Sequence, residues 1–267
     1  MQHIDAQDIA GAQRALDQDG LLVLTDAISA AEASAFAARI LAAPERGPGV
    51  SGHEFVPMLL NLDQSFQQLA GHPSLLALAH YLLGGRTEPA DNAFAWPVDD
   101  QIRLCNFDGL IAHPGCQGGF WHMDSPMGQL NPRRQLPDFA SAINFIWILT
   151  PFSPFTGGTR VVMGSEKRRQ LPPATRDSLP GELSTEAPPG SVLVVPNTVW
   201  HSAGSNQSLS PRIGLACVYQ PWWLGRLTMD SYPVRPDVWE TLDPPIQALT
   251  KHQLTWNTDF RGELHQS

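Results

Sequence analysis

Two histidines, one aspartate and one arginine carry the candidate chemistry of this sequence. His122 and Asp124 stand in Gly118-Gly119-Phe120-Trp121-His122-Met123-Asp124, followed by His201 and then Arg212. Two imidazoles and one carboxylate on one face of an octahedron leave three positions open. That set suits non-haem Fe(II), which needs free positions for a co-substrate and for O2. Arginine adds a two-pronged donor for a carboxylate. Arg212 opens the apolar run Ile213-Gly214-Leu215-Ala216-Cys217-Val218-Tyr219, where an unpaired charge is costly to bury. The nearby sequence offers no acid, so a bound dicarboxylate explains it better than an internal ion pair.

No single piece of this set is specific. His3-Ile4-Asp5 repeats the spacing, but it sits at a terminus expected to fray and reads as a chance match. A lone histidine in a strand is more often a hydrogen-bonded structural residue than a ligand. His122-Met123-Asp124 differs in context, because it follows a glycine pair and two aromatics where strands begin. On a strand, residues i and i+2 share a face. His122 and Asp124 can then reach one barrel mouth while Met123 points away.

The elements that must hold these residues are legible in outline. Residues 7–18 and 29–42 have helical spacing, and Ser29 with Glu32 forms a capping-box pattern. Gly20-Leu21-Leu22-Val23-Leu24 reads as a buried strand between them. Residues 43–53 read as loop. Residues 74–83 read as a helix stopped by a left-handed residue at Gly84-Gly85. Beyond about residue 100, short apolar runs alternate with turn signals: 101–107, 109–112, 119–123, 142–149, 159–163, 191–195, 199–202 and 212–220. Residues 165–190 form a polar, Pro-rich excursion that suits a surface or lid loop.

This pattern predicts a mainly β chain with flanking helices around a jelly-roll core. The 24 Pro and 22 Gly favour turns between short strands over long helices. A single domain over 1–267 is expected, with a helical flank (1–100), the core (101–223) and a tail (224–267) that is helical or irregular.

Bulk properties exclude several function classes. At 267 residues the chain can bury a substantial core. Its net charge of −9, with 42% hydrophobic and 16% charged residues, makes nucleic acid and anionic membranes poor partners. Cys105, Cys116 and Cys217 are too scattered for a zinc knuckle or a disulfide framework, so a reduced, cytoplasmic protein is expected. No signal peptide or membrane-length apolar run is visible. Oligomeric state is left open.

Several segments together resemble the phytanoyl-CoA dioxygenase-like family of Fe(II)/2-oxoglutarate oxygenases, over about residues 16–222. Asp19-Gly20-Leu21-Leu22-Val23-Leu24-Thr25 with the Ser29 helix resembles the family's opening. Leu69-Ala70-Gly71-His72-Pro73 through Leu83-Gly84 resembles its helix before the sheet. His122-Met123-Asp124 matches the HxD ligands, and His201 through Arg212 matches the distal His and the co-substrate Arg. Gly157-Gly158-Thr159-Arg160-Val161-Val162-Met163-Gly164-Ser165 resembles the family's Pro-Gly-Ser-His segment, with Met163 and Glu166 in place of its Pro and His.

The resemblance implies a double-stranded β-helix of the cupin-like kind. It implies Fe(II) on His122, Asp124 and His201, and 2-oxoglutarate on Arg212, with Thr159 near it and His113 a further candidate. It implies O2-dependent oxidation of a C–H in a small molecule, with release of succinate and CO2. Hydroxylation is the leading outcome, with a natural product or amino-acid derivative as substrate. Desaturation, cyclisation and endoperoxidation use the same ligands, whereas halogenating relatives lack the carboxylate that Asp124 supplies. Candidate pocket residues are Phe120, Trp121, Met127 and Trp222, with Phe55, Trp147, Trp200 and Trp223 as further aromatics. The rival readings are a cupin-type metal enzyme that ignores 2-oxoglutarate, and a non-catalytic binding protein on the same fold.

Overall fold

The computed structural model describes residues 1–49, 52–84, 102–131, 133, 135–221, 224 and 233–254. Its N-terminal elements are β1 (Gln2–Asp5), α1 (Ile9–Asp19), β2 (Leu22–Thr25), α2 (Ala30–Leu41), β3 (Gly47–Pro48), β4 (His53–Val56), α3 (Gln67–Ala70) and α4 (Pro73–Leu83). Then come β5 (Ile102–Ala112), β6 (Ile143–Ile148), β7 (Arg160–Val162), β8 (Glu182–Ser184), β9 (Val192–Pro196), β10 (His201–Ser202) and β11 (Arg212–Pro221). Helices α5 (Pro236–Trp239) and α6 (Pro244–Leu254) follow. An eight-stranded sheet runs β1-β2-β9-β6-β11-β5-β4-β3, and a three-stranded sheet runs β10-β7-β8. The two sheets form the jelly-roll.

The first helices form where local chemistry prescribes. Asp8 accepts from the Gly11 N–H to start α1, and Gly20, at φ 75°, ends it. Ser29 and Glu32 exchange hydrogen bonds at the start of α2 as a complete capping box, an arrangement whose cap alone is worth about 1 kcal/mol.

The large sheet divides two environments by strict alternation. On β5, β11 and β6, Phe107, Cys217 and Phe145 stand in one register row, and Leu215 and Trp147 in the next. These side chains pack with α1, α2 and α4 in the main core, each large apolar one contributing about 1.5–3 kcal/mol by burial. The intervening rows, Ala216 with Asp108 and Ile146, and Val218 with Asn106 and Asn144, face the opposite way. There Ile146, Ile148, Leu193 and Val195 pack with Val161 of the small sheet.

Five sequence expectations change. The N-terminus is not frayed, because β1 pairs in parallel with β2. Residues 43–53 are not all loop, since β3 and β4 pair antiparallel. Residues 101–107 and 109–112 are one strand, β5. Gly109 does not break it and instead lets α2 approach, since a Cβ there would lie 2.9 Å from Ile40 Cγ2. No strand spans 119–123, where an isolated bridge joins His122 to His201 and the Gly119 N–H donates to Ala203 O at 2.9 Å. Gly84 ends α4 in an extended conformation (φ −57°, ψ 144°), not a left-handed one, and Gly85 lies outside the described residues.

The 165–190 excursion is anchored to the core at its base. The Trp121 indole N–H donates to Asp177 O and that of Trp200 to Gln170 O, both at 2.8 Å. The three cysteines are buried and unbridged. No helix among the described residues is long and apolar enough to cross a membrane.

Candidate metal centre and its cavity

His122, Asp124 and His201 converge, each offering one ligand atom, with those atoms within 4.8 Å of one another. Backbone placement explains the convergence. His122 and His201 form an antiparallel bridge, and β10 in turn pairs with β7. Phe120 and His122 then face the cavity, while Trp121 and Met123 turn into a small core with Met127 and Trp200. Met123 therefore points away, as the i, i+2 argument requires.

Both imidazoles are aimed by the same device. His122 Nδ1 bonds the Phe120 carbonyl and His201 Nδ1 bonds the Val199 carbonyl, each at 3.0 Å and each two residues upstream. A ring that donates through Nδ1 presents Nε2 as a neutral ligand. His201 Nε2 lies 3.5 Å and His122 Nε2 3.8 Å from Asp124 Oδ1. The second carboxylate oxygen, Asp124 Oδ2, accepts from Asn144 Nδ2 at 3.1 Å.

Electrostatics keep the carboxylate ionised. Burial alone would raise Asp124, but the adjacent His201, with His122 and the Asn144 amide, holds it well below the ordinary carboxylate range. Burial opposes charge on His201, yet Asp124 pulls its pKa up overall. His122 is half-exposed toward the cavity, and desolvation together with His201 pushes its pKa down. The three groups titrate as a unit. Their donor set, with one carboxylate and two preset imidazoles, fits a divalent metal of the Fe(II) kind.

A cavity of about 650 Å³ opens beside the triad. Its lining includes Phe55, Leu110, Phe120, Ile146, Thr159, Arg212 and all three triad residues. Arg212 is 4% exposed. Its guanidinium lies 4.7 Å over the Phe152 ring, and its buried Nε has no hydrogen-bond partner. Burial pushes its pKa down to about 10, with Cys116 acting in the other direction, so it remains a cation at neutral pH. A buried guanidinium in this state calls for an anion.

Thr159 reaches the cavity because Gly157-Gly158 packs tightly on Gly204. A Cβ on Gly204 would lie 2.4 Å from Gly158 O.

Other sequence candidates fall elsewhere. Trp121 and Met127 do not line the cavity. Trp121 stacks on the Arg160 guanidinium at 4.7 Å, on the side of its segment opposite to Phe120. Trp147 is in the main core. His113 pairs with Glu54 at 2.8 Å and is not part of the lining. Trp222 and Trp223 lie outside the described residues. Phe55 does line the cavity, with its neighbours His53 and Glu54.

Sequence reasoning missed Asn106, Asp108 and Asn144. The available signal was a polar side chain recurring inside otherwise apolar strands, as in Ile143-Asn144-Phe145-Ile146-Trp147-Ile148.

A jelly-roll that presents two imidazoles, a carboxylate and a buried arginine to one cavity defines the class of mononuclear metal oxygenases. The phytanoyl-CoA dioxygenase (PhyH) family model matches residues 16–214, and the chain belongs to that family. Membership carries the family's class, oxidoreductase, and its cofactor set of Fe(II), 2-oxoglutarate and O2.

Among curated relatives, the chain is 36% identical over 145 residues to dioxygenase andF of Emericella variicolor, covering 53% of this chain and 49% of andF. It is 27% identical over 254 residues to dioxygenase af480 of Aspergillus fumigatus, covering 89% of this chain and 75% of af480. The match thus spans about half the length of the first and three-quarters of the second. Among solved structures, it resembles HygX from Streptomyces hygroscopicus, determined with nickel, 2-oxoglutarate and hygromycin B bound. The TM-score is 0.61 at 18% identity, covering 81% of this chain and 88% of HygX.

Proposed function

We propose that this chain is an Fe(II)- and 2-oxoglutarate-dependent dioxygenase that hydroxylates an unactivated C–H of a small molecule, releasing succinate and CO2. The observation that carries the reading is Arg212, a buried cation with an unpartnered Nε in the same cavity as the triad. A cupin-type enzyme that ignores 2-oxoglutarate has no use for such a group, and neither has a binding protein without a dicarboxylate ligand.

In this reading His122, Asp124 and His201 hold Fe(II), which with 2-oxoglutarate supplies the activation of O2. Arg212 takes the far carboxylate of the co-substrate through its planar fork, with the Thr159 hydroxyl beside it. Asn144 fixes the Asp124 carboxylate so that Oδ1 faces the imidazoles. Phe120, Phe55, Leu110 and Ile146 form apolar walls that exclude water and position the substrate. The helical flank and the sheet core act as one catalytic unit. The likeness to HygX, solved with hygromycin B bound, supports a natural product as substrate.

The test is succinate formation from 2-oxoglutarate with wild type and Arg212→Ala under identical iron loading. Succinate from wild type, falling at least about a hundredfold in the variant at low 2-oxoglutarate, supports the reading, since a charge-assisted pair is worth several kcal/mol when one partner is removed. Undiminished turnover in Arg212→Ala, or none in iron-loaded wild type, refutes it. Product mass separates hydroxylation from desaturation or ring closure.

A further inference from the structure

We infer that the cavity floor selects a neutral substrate carrying a hydrogen-bond donor, a hydroxyl or an amide N–H, which the side-chain carbonyl of Asn144 accepts. The inference names the substrate class of the function proposed above and rests on that reading.

Asn144 sits within β6, whose residues are all buried. Its Nδ2 donates to Asp124 Oδ2 at 3.1 Å. An ionised carboxylate only accepts, so this bond fixes which way the amide points. The remaining atom, Asn144 Oδ1, is buried and has no partner, and the residue lines the cavity. A buried acceptor left unmade costs about 1–3 kcal/mol.

2-Oxoglutarate cannot satisfy it. Both carboxylates and the keto oxygen are acceptors at neutral pH. Its keto-acid end, on a metal held by Asp124, lies close to Asn144, whose Nδ2 is 3.1 Å from Asp124 Oδ2, yet it brings only acceptors. A donor therefore comes from another molecule in the cavity.

The rest of the floor has the same polarity. Val218 also pairs with Asn106, so Asn106 stands in the same row, with its Oδ1 buried and unpartnered. In the next row Ala216 pairs with Ile146 and with Asp108, a carboxylate that accepts from the Met58 N–H at 2.8 Å. Among the described lining residues Arg212 is the single Arg or Lys. An anionic head group brings only acceptors, which cannot satisfy the buried carbonyl oxygens of Asn144 and Asn106. A free acid or a phosphorylated carrier thioester is disfavoured there, and a neutral donor on an apolar body is favoured.

The experiment uses three probes on one apolar body: adamantan-1-ol, 1-methoxyadamantane and adamantane-1-carboxylate. Binding to protein loaded anaerobically with Fe(II) and 2-oxoglutarate is measured by calorimetry. The alcohol is expected to bind about tenfold more tightly than the ether, a difference of about 1.4 kcal/mol, with the carboxylate weakest. In Asn144→Leu the alcohol-to-ether ratio should fall to about one. The wild-type ranking carries the test even if that variant loads iron poorly. Equal binding of alcohol and ether, preference for the carboxylate, or no binding of any probe at roughly 10 mM overturns the inference. Loss of the visible band of iron-bound 2-oxoglutarate in wild type would instead sink the functional reading beneath it.

Discussion

His122 and His201 exchange backbone hydrogen bonds, each N–H donating to the other's carbonyl at 3.0 Å. This single bridge sets their ring centroids 4.2 Å apart and leaves Asp124 to close the triad from the loop that follows. The metal centre is thus assembled by main-chain pairing between distant segments, and the side chains inherit their geometry from it.

Asp124→Ala should abolish turnover while leaving the fold intact. Loss of a group that merely orients a ligand typically costs 10- to 100-fold in metal affinity or activity, so loss of the ligand itself should exceed about a hundredfold. Succinate assays read the activity and thermal unfolding monitored by circular dichroism reads the fold. Substantial residual oxidation would refute the ligand assignment.

Arg212→Met should stabilise the protein in the absence of co-substrate. The change replaces a buried, underpartnered cation by an apolar side chain of similar length, and such replacements are often stabilising. A rise of about 2–4 °C in Tm corresponds to roughly 1 kcal/mol in a chain of this size. Wild type loaded with metal should gain about 2.7 kcal/mol from 2-oxoglutarate at a hundredfold excess over its Kd, and Arg212→Met should gain almost nothing. A strongly destabilised variant would show that an internal partner holds Arg212.

Much of this was legible in the sequence, and the limits have physical causes. The capping box at Ser29 and Glu32 is local chemistry, and it folds as read. The i, i+2 argument assigns His122 and Met123 to opposite sides correctly, although the segment pairs through an isolated bridge. By the same rule Trp121 had to turn away from the cavity once His122 faced it, and adjacency to the motif was no guide. Asn144 was invisible as a support for Asp124 because their meeting depends on cross-strand register. β1 escaped because a short edge strand with alternately exposed residues looks like a frayed end until its parallel partner is known.

Asn144→Ala should weaken Fe(II) binding by 10- to 100-fold, the usual cost of removing a hydrogen bond to a ligating carboxylate. Turnover should recover when iron is supplied in large excess. An unchanged iron Kd in anaerobic titrations would mean that the bond to Asp124 Oδ2 does not orient the ligand.

The second His-x-Asp pair supplies a control. His3 and Asp5 are exposed residues of β1, and the Asp5 carboxylate accepts a local bond from the Gln7 N–H at 2.8 Å. The double variant His3→Ala/Asp5→Ala should keep wild-type iron stoichiometry and lose at most about 1 kcal/mol of stability. Loss of iron in that variant would contradict the placement of the centre at His122, Asp124 and His201.

The central claim, one metal and one dicarboxylate held together in this cavity, is tested most directly by anaerobic absorbance. The metal-free protein is titrated with Fe(II) and then with 2-oxoglutarate. The account predicts a weak visible charge-transfer band that appears only with both, is lost in His201→Ala and is weakened in Arg212→Ala. Bound iron with no band on adding 2-oxoglutarate would contradict it, and the cupin-type or non-catalytic reading would take its place.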